Sequence, residues 1–308
     1  MIESSNNFKI VVLIATIGRT GLLDQTLSSI DACKKPDNFK YVYVIENGGS
    51  SSAKNIVERY DELTYKYMRL EKPGKSAALN HVIENHIHDD DLLLFTDDDI
   101  IVNPSWIENF NKAARKFGRK HFYGGSFSVK YEKEPDDSIK PLLPLSARGL
   151  TDEQYKKREI FHGCNWGAFK SDLERSGLFD EAFGPGSVTG ATGQETIMQR
   201  RMLAGDSKAV FIENNAVQHM VPESHSNIQW LGQRAVRSGF ESANKKEIDA
   251  PGSIYYLFRL STKIAYNYLR RNKLQLNRHL LSTLRVSGKI LQVVNVRRNT
   301  HHTDSEGD

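Results

Sequence analysis

Short β-branched runs alternate with longer stretches of helical spacing through the first hundred residues, and this alternation restricts the chain to an α/β layer architecture. Strands are expected over residues 10–15, 41–45, 67–70 and 92–96, and helices over 21–30, 53–60 and 75–85. The order β-α-β-α-β-α-β makes the central sheet mostly parallel, since each crossover returns the chain in the same direction. Ligands of such sheets sit beyond the C-terminal strand ends. Three polar clusters fall there: residues 16–19, 46–50 and 97–99.

Further along, Asn103 and Pro104 open a helix expected to reach Phe117. A β-rich run follows over 121–131, then a proline-punctuated excursion over 132–148. A strand is expected within 161–169, a helix over 195–203 and a strand over 208–212. Gly184, Gly186, Gly190 and Gly193 give residues 184–192 the composition of a lid that orders over a ligand, or of a plain surface loop. The character changes after about Gly239. Ile254, Leu257, Phe258, Ser261, Ile264, Ala265 and Tyr268 fit one helical stripe, with Arg259, Lys263, Arg270 and Arg271 among the other positions. A second helical stretch over 274–296 is interrupted by Gly288.

With 39% hydrophobic and 26% charged residues, the chain is globular, and disorder, collagen and coiled coil are excluded as whole-chain answers. Cys33 and Cys164 match no metal-ligand spacing and read as reduced thiols of a cytoplasmic protein. The N-terminus lacks the pattern of a secretory leader, and no stretch approaches the roughly 18 apolar residues of a membrane span. The net charge of +4 is unevenly distributed: residues 251–303 hold ten Lys or Arg and no Asp or Glu. An anionic neighbour is expected there, whether a membrane surface, nucleic acid or the acidic body of the protein itself. No nucleic-acid motif accompanies the charge, so a nucleic-acid partner is not expected.

Asp97, Asp98 and Asp99 follow the apolar run 92–95 just after Thr96. Three carboxylates held at a strand end repel one another unless a cation relieves them. A hard divalent ion completed by substrate phosphates would do so; a solvated acidic turn is the alternative. Asp89, Asp90 and Asp91 precede the same strand, at its opposite end, and are read as such a turn.

An ordered set of motifs resembles family 2 glycosyltransferases of the GT-A fold, which use nucleotide-sugars to build surface polysaccharides and related glycans. The set begins with Ala15, Thr16, Ile17, Gly18, Arg19 after the first strand and Ile45, Glu46, Asn47, Gly48, Gly49, Ser50 after the second. It continues with residues 72–80 around Gly74, Lys75 and Asn80, and with the DxD-like segment 95–99. Residues 163–169 with Trp166, residues 177–181 with Asp180, and Gly193, Gln194, Glu195, Thr196 follow. His219 closes a V-x-H element, and Gln233, Arg234 and Arg237 resemble the Q-x-x-R-W of processive members, with Ser238 where the Trp would stand. The resemblance runs from about residue 10 to 239 and implies a Rossmann-like, mostly parallel sheet flanked by helices. The catalytic domain would occupy 1–240, donor half about 1–100 and acceptor half about 101–240, with a basic helical extension over 241–303 and a tail over 304–308.

Carried over by position, the resemblance implies roles. Thr16, Arg19, Glu46, Lys75, Asp97 and Asp98 would bind the nucleotide-sugar. Asp97, Asp99 and His219 would hold Mn²⁺ or Mg²⁺. Glu195 would be the general base, a Glu where the family commonly has Asp, and Gln194 stands where an acid is common. Trp166 and Asp180 would face the acceptor, while Trp230 is assigned to the core. The activity implied is an inverting, non-processive transfer from a UDP-sugar to a hydroxyl of a glycan or lipid-linked acceptor; the basic amphipathic composition of 251–303 separately suggests peripheral membrane contact, or packing against the catalytic domain or a dimer partner. A metal-dependent nucleotidyltransferase and a non-catalytic nucleotide- or glycan-binding protein are the rival readings.

Overall fold

Every residue of the first strand, β1 (Ile10–Thr16), is buried, as required when helices cover both faces of a parallel sheet. In the computed structural model, which describes residues 7–48, 52–187, 192–243 and 250–303, β1 is followed by α1 (Thr20–Asp31), β2 (Phe39–Asn47), α2 (Lys54–Val57), β3 (Tyr65–Leu70), α3 (Lys75–Asn85), β4 (Leu92–Asp97) and β5 (Ile100–Ile101). Next come α4 (Trp106–Phe117), β6 (His121–Gly124), β7 (Phe127–Tyr131), α5 (Asp152–Tyr155), β8 (Trp166–Phe169), α6 (Lys170–Arg175) and α7 (Gln194–Ala204). The last elements are β9 (Lys208–Phe211), β10 (Val217–Val221), α8 (Ile228–Ala243), α9 (Ala250–Leu269) and α10 (Lys273–Thr303).

The main sheet has the order β3-β2-β1-β4-β8-β6-β9. Its first four strands are parallel, β8 runs against both β4 and β6, and β9 is parallel to β6. Strand order reverses between β1 and β4, so their C-terminal ends flank the crevice where such sheets take ligands. Ile10, Val11, Val12, Leu13 and Ile14 are each 0% exposed, and burying each such side chain contributes about 1.5–3 kcal/mol. A smaller sheet orders β5, β10 and β7.

The chain divides into two compact units. One comprises the chain up to Lys130 together with Gly149–Met220, and the other comprises Tyr131–Arg148 and the chain from Val221 onward. The proline-punctuated excursion goes with the C-terminal helices, where Asn277 Nδ2 donates to Ser138 Oγ at 3.1 Å. The tail 304–308, like Gly49, Ser50 and Gly190, lies outside the described residues.

Three expectations change in detail. The strand expected within 161–169 is confined to Trp166–Phe169, because the Gln199 side chain captures the Phe161 backbone, accepting from its N–H at 2.7 Å and donating to its C=O at 3.2 Å. The run over 121–131 breaks into β6 and β7 at Gly125 and Ser126, where Asn165 Nδ2 donates to Ser126 O at 2.8 Å and to Asn215 O at 2.7 Å. Gly288 does not interrupt α10. A Cβ at Gly288 would lie 2.3 Å from Val236 O, and one at Gly239 would lie 2.1 Å from Arg285 O; these glycines let α8 and α10 cross backbone to backbone.

Candidate functional site

At the end of β1, Thr16 Oγ1 accepts from Gly18 N at 3.0 Å and donates to Asp98 Oδ2 at 2.5 Å. Gly18 has φ +89°, and a Cβ there would stand 2.5 Å from Ser52 Oγ and 2.8 Å from Glu46 Oε1. Only glycine meets both the turn and the close approach. On the neighbouring strand Glu46 is 0% exposed. Its Oε2 accepts from Ala53 N at 3.1 Å and from Tyr67 OH at 2.8 Å, while its buried Oε1 has no hydrogen-bond partner among the described residues. An unmet buried acceptor costs about 1–3 kcal/mol, so this oxygen is suited to an N–H or O–H donor brought by a ligand. Asn47 ties the strand ends together, its amide donating to Thr16 O at 2.9 Å and accepting from Gly74 N at 3.0 Å.

The three aspartates after β4 diverge. Asp97 pairs with Lys75, the first residue of α3. Asp98, 2% exposed, pairs with Arg19 and accepts from Thr16. Asp99 pairs with Arg19 Nη1 at 2.9 Å, and its Oδ1, buried without a hydrogen bond among the described residues, lies 3.3 Å from His219 Nε2. Strand β10 brings His219 there: Met220 N donates to Asp99 O at 2.8 Å, and His219 stands opposite Ile100 of β5. The mutual repulsion expected of the cluster is therefore relieved in large part by Arg19 and Lys75. Among the described residues no three His, Cys, Asp or Glu side chains converge into a metal site. Asp99 and His219 supply two donors of chemistry that suits Mn²⁺, leaving further positions to substrate oxygens.

Electrostatics follow from this pairing. Burial opposes ionisation of Asp97, but Lys75, through its charge and hydrogen bond, outweighs it and holds the carboxyl at about 2. Burial likewise works against the Lys75 ammonium, and Asp97 and Glu195 hold its pKa above the usual lysine value. Asp98 is raised, chiefly by burial and partly by Asp99, against the opposing field of Arg19.

Glu195 lies in the first turn of α7, with its carboxyl group packed over Gly163, where a Cβ would stand 2.9 Å from Glu195 Cδ. Beside it is His162, a residue that sequence reasoning did not single out although it directly precedes a quoted motif. Its ring lies tilted against Phe127, centroids 4.6 Å apart, its Nδ1 is buried without a hydrogen-bond partner among the described residues, and burial lowers its pKa against the opposing charges of Glu195 and Asp97. Tyr67, which orients Glu46, was also missed. The segment leading into the expected lid is fixed on α3: Asn80 and Phe179 exchange hydrogen bonds of 2.8 and 3.0 Å, Ser76 Oγ donates to Phe183 O at 2.6 Å, and Lys75 N donates to Pro185 O at 3.0 Å. Residues 188–191 of that loop lie outside the described residues.

Against known families, the profile of glycosyl transferase family 2 matches residues 11–177, more than half of the chain and the whole donor edge described above. The chain belongs to glycosyl transferase family 2. No curated protein matches it. Among solved structures, this family 2 transferase resembles GalNAc-T7 with UDP, GalNAc and Mn²⁺, at 12% identity and TM-score 0.53 over 79% of this chain and 52% of that one. It spans about half of that protein. It also resembles the mannosyltransferase PcManGT from Pyrobaculum calidifontis in complex with GDP-Man and Mn²⁺, at 16% identity and TM-score 0.54 over 92% of this chain and 87% of that one. A third match is S. aureus TarS 1-349 in complex with UDP-GlcNAc, at 14% identity and TM-score 0.51 over 80% and 69% of the two chains. These likenesses establish the GT-A fold.

Within the family 2 fold, two aromatic assignments are corrected. Trp166 is 1% exposed and stacks on Phe95 at 4.6 Å with Phe179 edge-on at 6.1 Å, so its ring is core and not an acceptor platform. Trp230, expected in the core, is half-buried, stacked on His225 at 5.3 Å with Arg234 over its ring at 4.9 Å. Asp180 pairs with Arg201 at 3.1 Å and accepts from Ala182 N at 3.1 Å. Those contacts hold its loop and leave its carboxylate partly exposed.

Proposed function

We propose that this family 2 transferase is a metal-dependent, inverting, non-processive glycosyltransferase that moves a sugar from a UDP-sugar to a hydroxyl of a glycan or lipid-linked acceptor, in cytoplasmic assembly of a surface polysaccharide. The observation that carries the reading is the presence, at one sheet edge, of a buried Glu46 oxygen without a partner among the described residues, the cations Arg19 and Lys75, and the Glu195 carboxylate. Glu46 Oε1 would accept the N3–H of uracil. Arg19 and Lys75 would face the diphosphate, with Asp98 holding Arg19 and Thr16 in place. Asp99 and His219 would hold Mn²⁺ or Mg²⁺, with Asp97 kept on Lys75; the ion when bound would supply electrostatic stabilisation of the leaving diphosphate.

Glu195 takes the proton of the attacking hydroxyl as the acceptor oxygen bonds to the anomeric carbon. The bond from that carbon to the diphosphate oxygen breaks, and the nucleoside diphosphate departs with the electron pair. Attack from the opposite face inverts the configuration. A mannosyltransferase with GDP-Man and a transferase with UDP-GlcNAc among the similar structures support a nucleotide-sugar donor, and two complexes with Mn²⁺ support a divalent ion.

The test is a thermal-shift screen of nucleoside diphosphates and nucleotide-sugars with Mn²⁺, Mg²⁺ or EDTA, followed by turnover of the stabilising donor by wild type and Glu195→Gln. A ligand at about 100 times its Kd stabilises by roughly 2.7 kcal/mol. The variant is expected to keep the donor-induced shift and lose roughly 10²- to 10⁴-fold in turnover. Stabilisation by no nucleotide would sink the donor site, and unchanged turnover would remove Glu195 from the mechanism.

A further inference from the structure

Helix α9 has two unlike faces. Leu260 and Asn267 are 2% and 8% exposed and set the inward side. On the opposite side Tyr255, Phe258, Tyr266 and Leu269 are 64%, 68%, 56% and 81% exposed, and their spacing places them on one stripe of a 3.6-residue helix. The stripe expected from the sequence is therefore out of phase: Phe258 points outward, and Tyr268 is also exposed.

Beside this ridge run Arg259, Lys263 and Arg270, in register along the same flank, with the Arg270 guanidinium lying over the Tyr266 ring at 5.1 Å. The surrounding sequence, residues 251–303, contributes ten Lys or Arg and no acid. We propose that this face of α9 lies in the headgroup layer of an anionic lipid bilayer, the Phe and Leu side chains entering the acyl boundary and the cations meeting lipid phosphates. Tyrosines suit such a boundary because one end of the ring is apolar and the other polar. No described helix is long and apolar enough to cross a membrane, so the contact is parallel to the surface. A duplex nucleic acid would reward the cations but give Phe258 and Leu269 nothing apolar to enter, and a single strand could stack on the rings but would leave Leu269 in water. A second copy paired through this face would set one cation row against another, and residues 251–303 hold no acid to offset it.

This inference goes beyond sugar transfer and is independent of it. The full chain is floated on a density gradient with vesicles of phosphatidylcholine alone or containing about 30% phosphatidylglycerol, at low and high salt. Flotation with the anionic vesicles alone, weakened by salt, is expected. Two variants on the exposed face, F258S/Y266S/L269S and R259E/K263E/R270E, should each reduce partitioning by about tenfold or more. Both should unfold at the wild-type temperature and keep any nucleotide-induced shift, so a lipid defect is separable from misfolding and from failure of the donor site. Equal binding to neutral and anionic vesicles, or unchanged partitioning in both variants, overturns the proposal. So does a dimer seen by light scattering, or RNA retention, that these variants abolish while wild type ignores vesicles.

Discussion

The Glu195 carboxyl group rests on the backbone of Gly163: a Cβ at Gly163 would stand 2.9 Å from Glu195 Cδ and 3.2 Å from Oε1. Gly163→Ala therefore acts by pushing this carboxylate aside, since Gly163 is not among the positive-φ glycines. Displacement of a reacting group by about 1 Å can cost about 10²-fold in rate. Turnover in Gly163→Ala should fall by that order while nucleotide affinity, measured by titration calorimetry, is retained. A parallel loss of affinity would mean that the substitution disturbs the donor edge instead.

Glu46 offers a test of base recognition. Its Oε2 already receives Ala53 N and Tyr67 OH, so in Glu46→Gln the amide oxygen is required there and the NH₂ must take the place of Oε1. An acceptor becomes a donor without change of shape. UDP affinity should drop about 10- to 100-fold, the scale of a lost hydrogen bond to a charged group, while CDP, which presents an acceptor at ring N3, should bind the variant relatively better. Unchanged UDP affinity would separate Glu46 from the base.

The donor edge was legible because its carriers are local. Apolar runs ending in polar turns mark β1, β2 and β4, and the helical spacing over 75–85 coincides with α3. What could not be read is which distant side chain answers which. Three adjacent aspartates suggest a metal, but the sequence does not reveal that Arg19 reaches Asp98 and Asp99 across some eighty positions or that Lys75 takes Asp97. His162 was missed because a lone histidine acquires meaning only when α7 brings Glu195 beside it. The phase of α9 was missed because aromatic residues lie on both its sides, and hydropathy ranks Phe258 above Asn267 for burial although the fold buries Asn267.

Metal dependence should be tunable at His219. Asp99 Oδ1 and His219 Nε2 already meet at 3.3 Å, and without the imidazole the site retains carboxylates alone. EDTA should abolish turnover, and His219→Ala should raise the metal concentration for half-maximal rate by about 10- to 100-fold, the range found when support of a metal site is removed. Saturating Mn²⁺ should then recover much of the lost rate. A wild-type enzyme indifferent to EDTA, or a variant with wild-type metal dependence, would contradict this assignment.

The opposite end of β4 supplies the pH prediction. Asp90 accepts from Ser171 N at 2.9 Å and pairs with Arg119. Burial opposes its charge, but the hydrogen bonds from Ser171 and Arg119 prevail and hold its pKa below the ordinary carboxyl value. A carboxyl lowered by folding contributes stability above its unfolded pKa of about 3.9, and that contribution is lost as pH falls through the folded value. Asp90→Asn should therefore cost about 1–2 kcal/mol near neutrality, measured by urea unfolding. The gap to wild type should close as pH falls through the lowered folded value. Because Asp90 lies at the far end of the strand from Asp97, UDP affinity should not change, unlike that of Glu46→Gln. A pH-independent gap would show that the loss comes from altered packing around Ser171 and not from the ionised carboxylate.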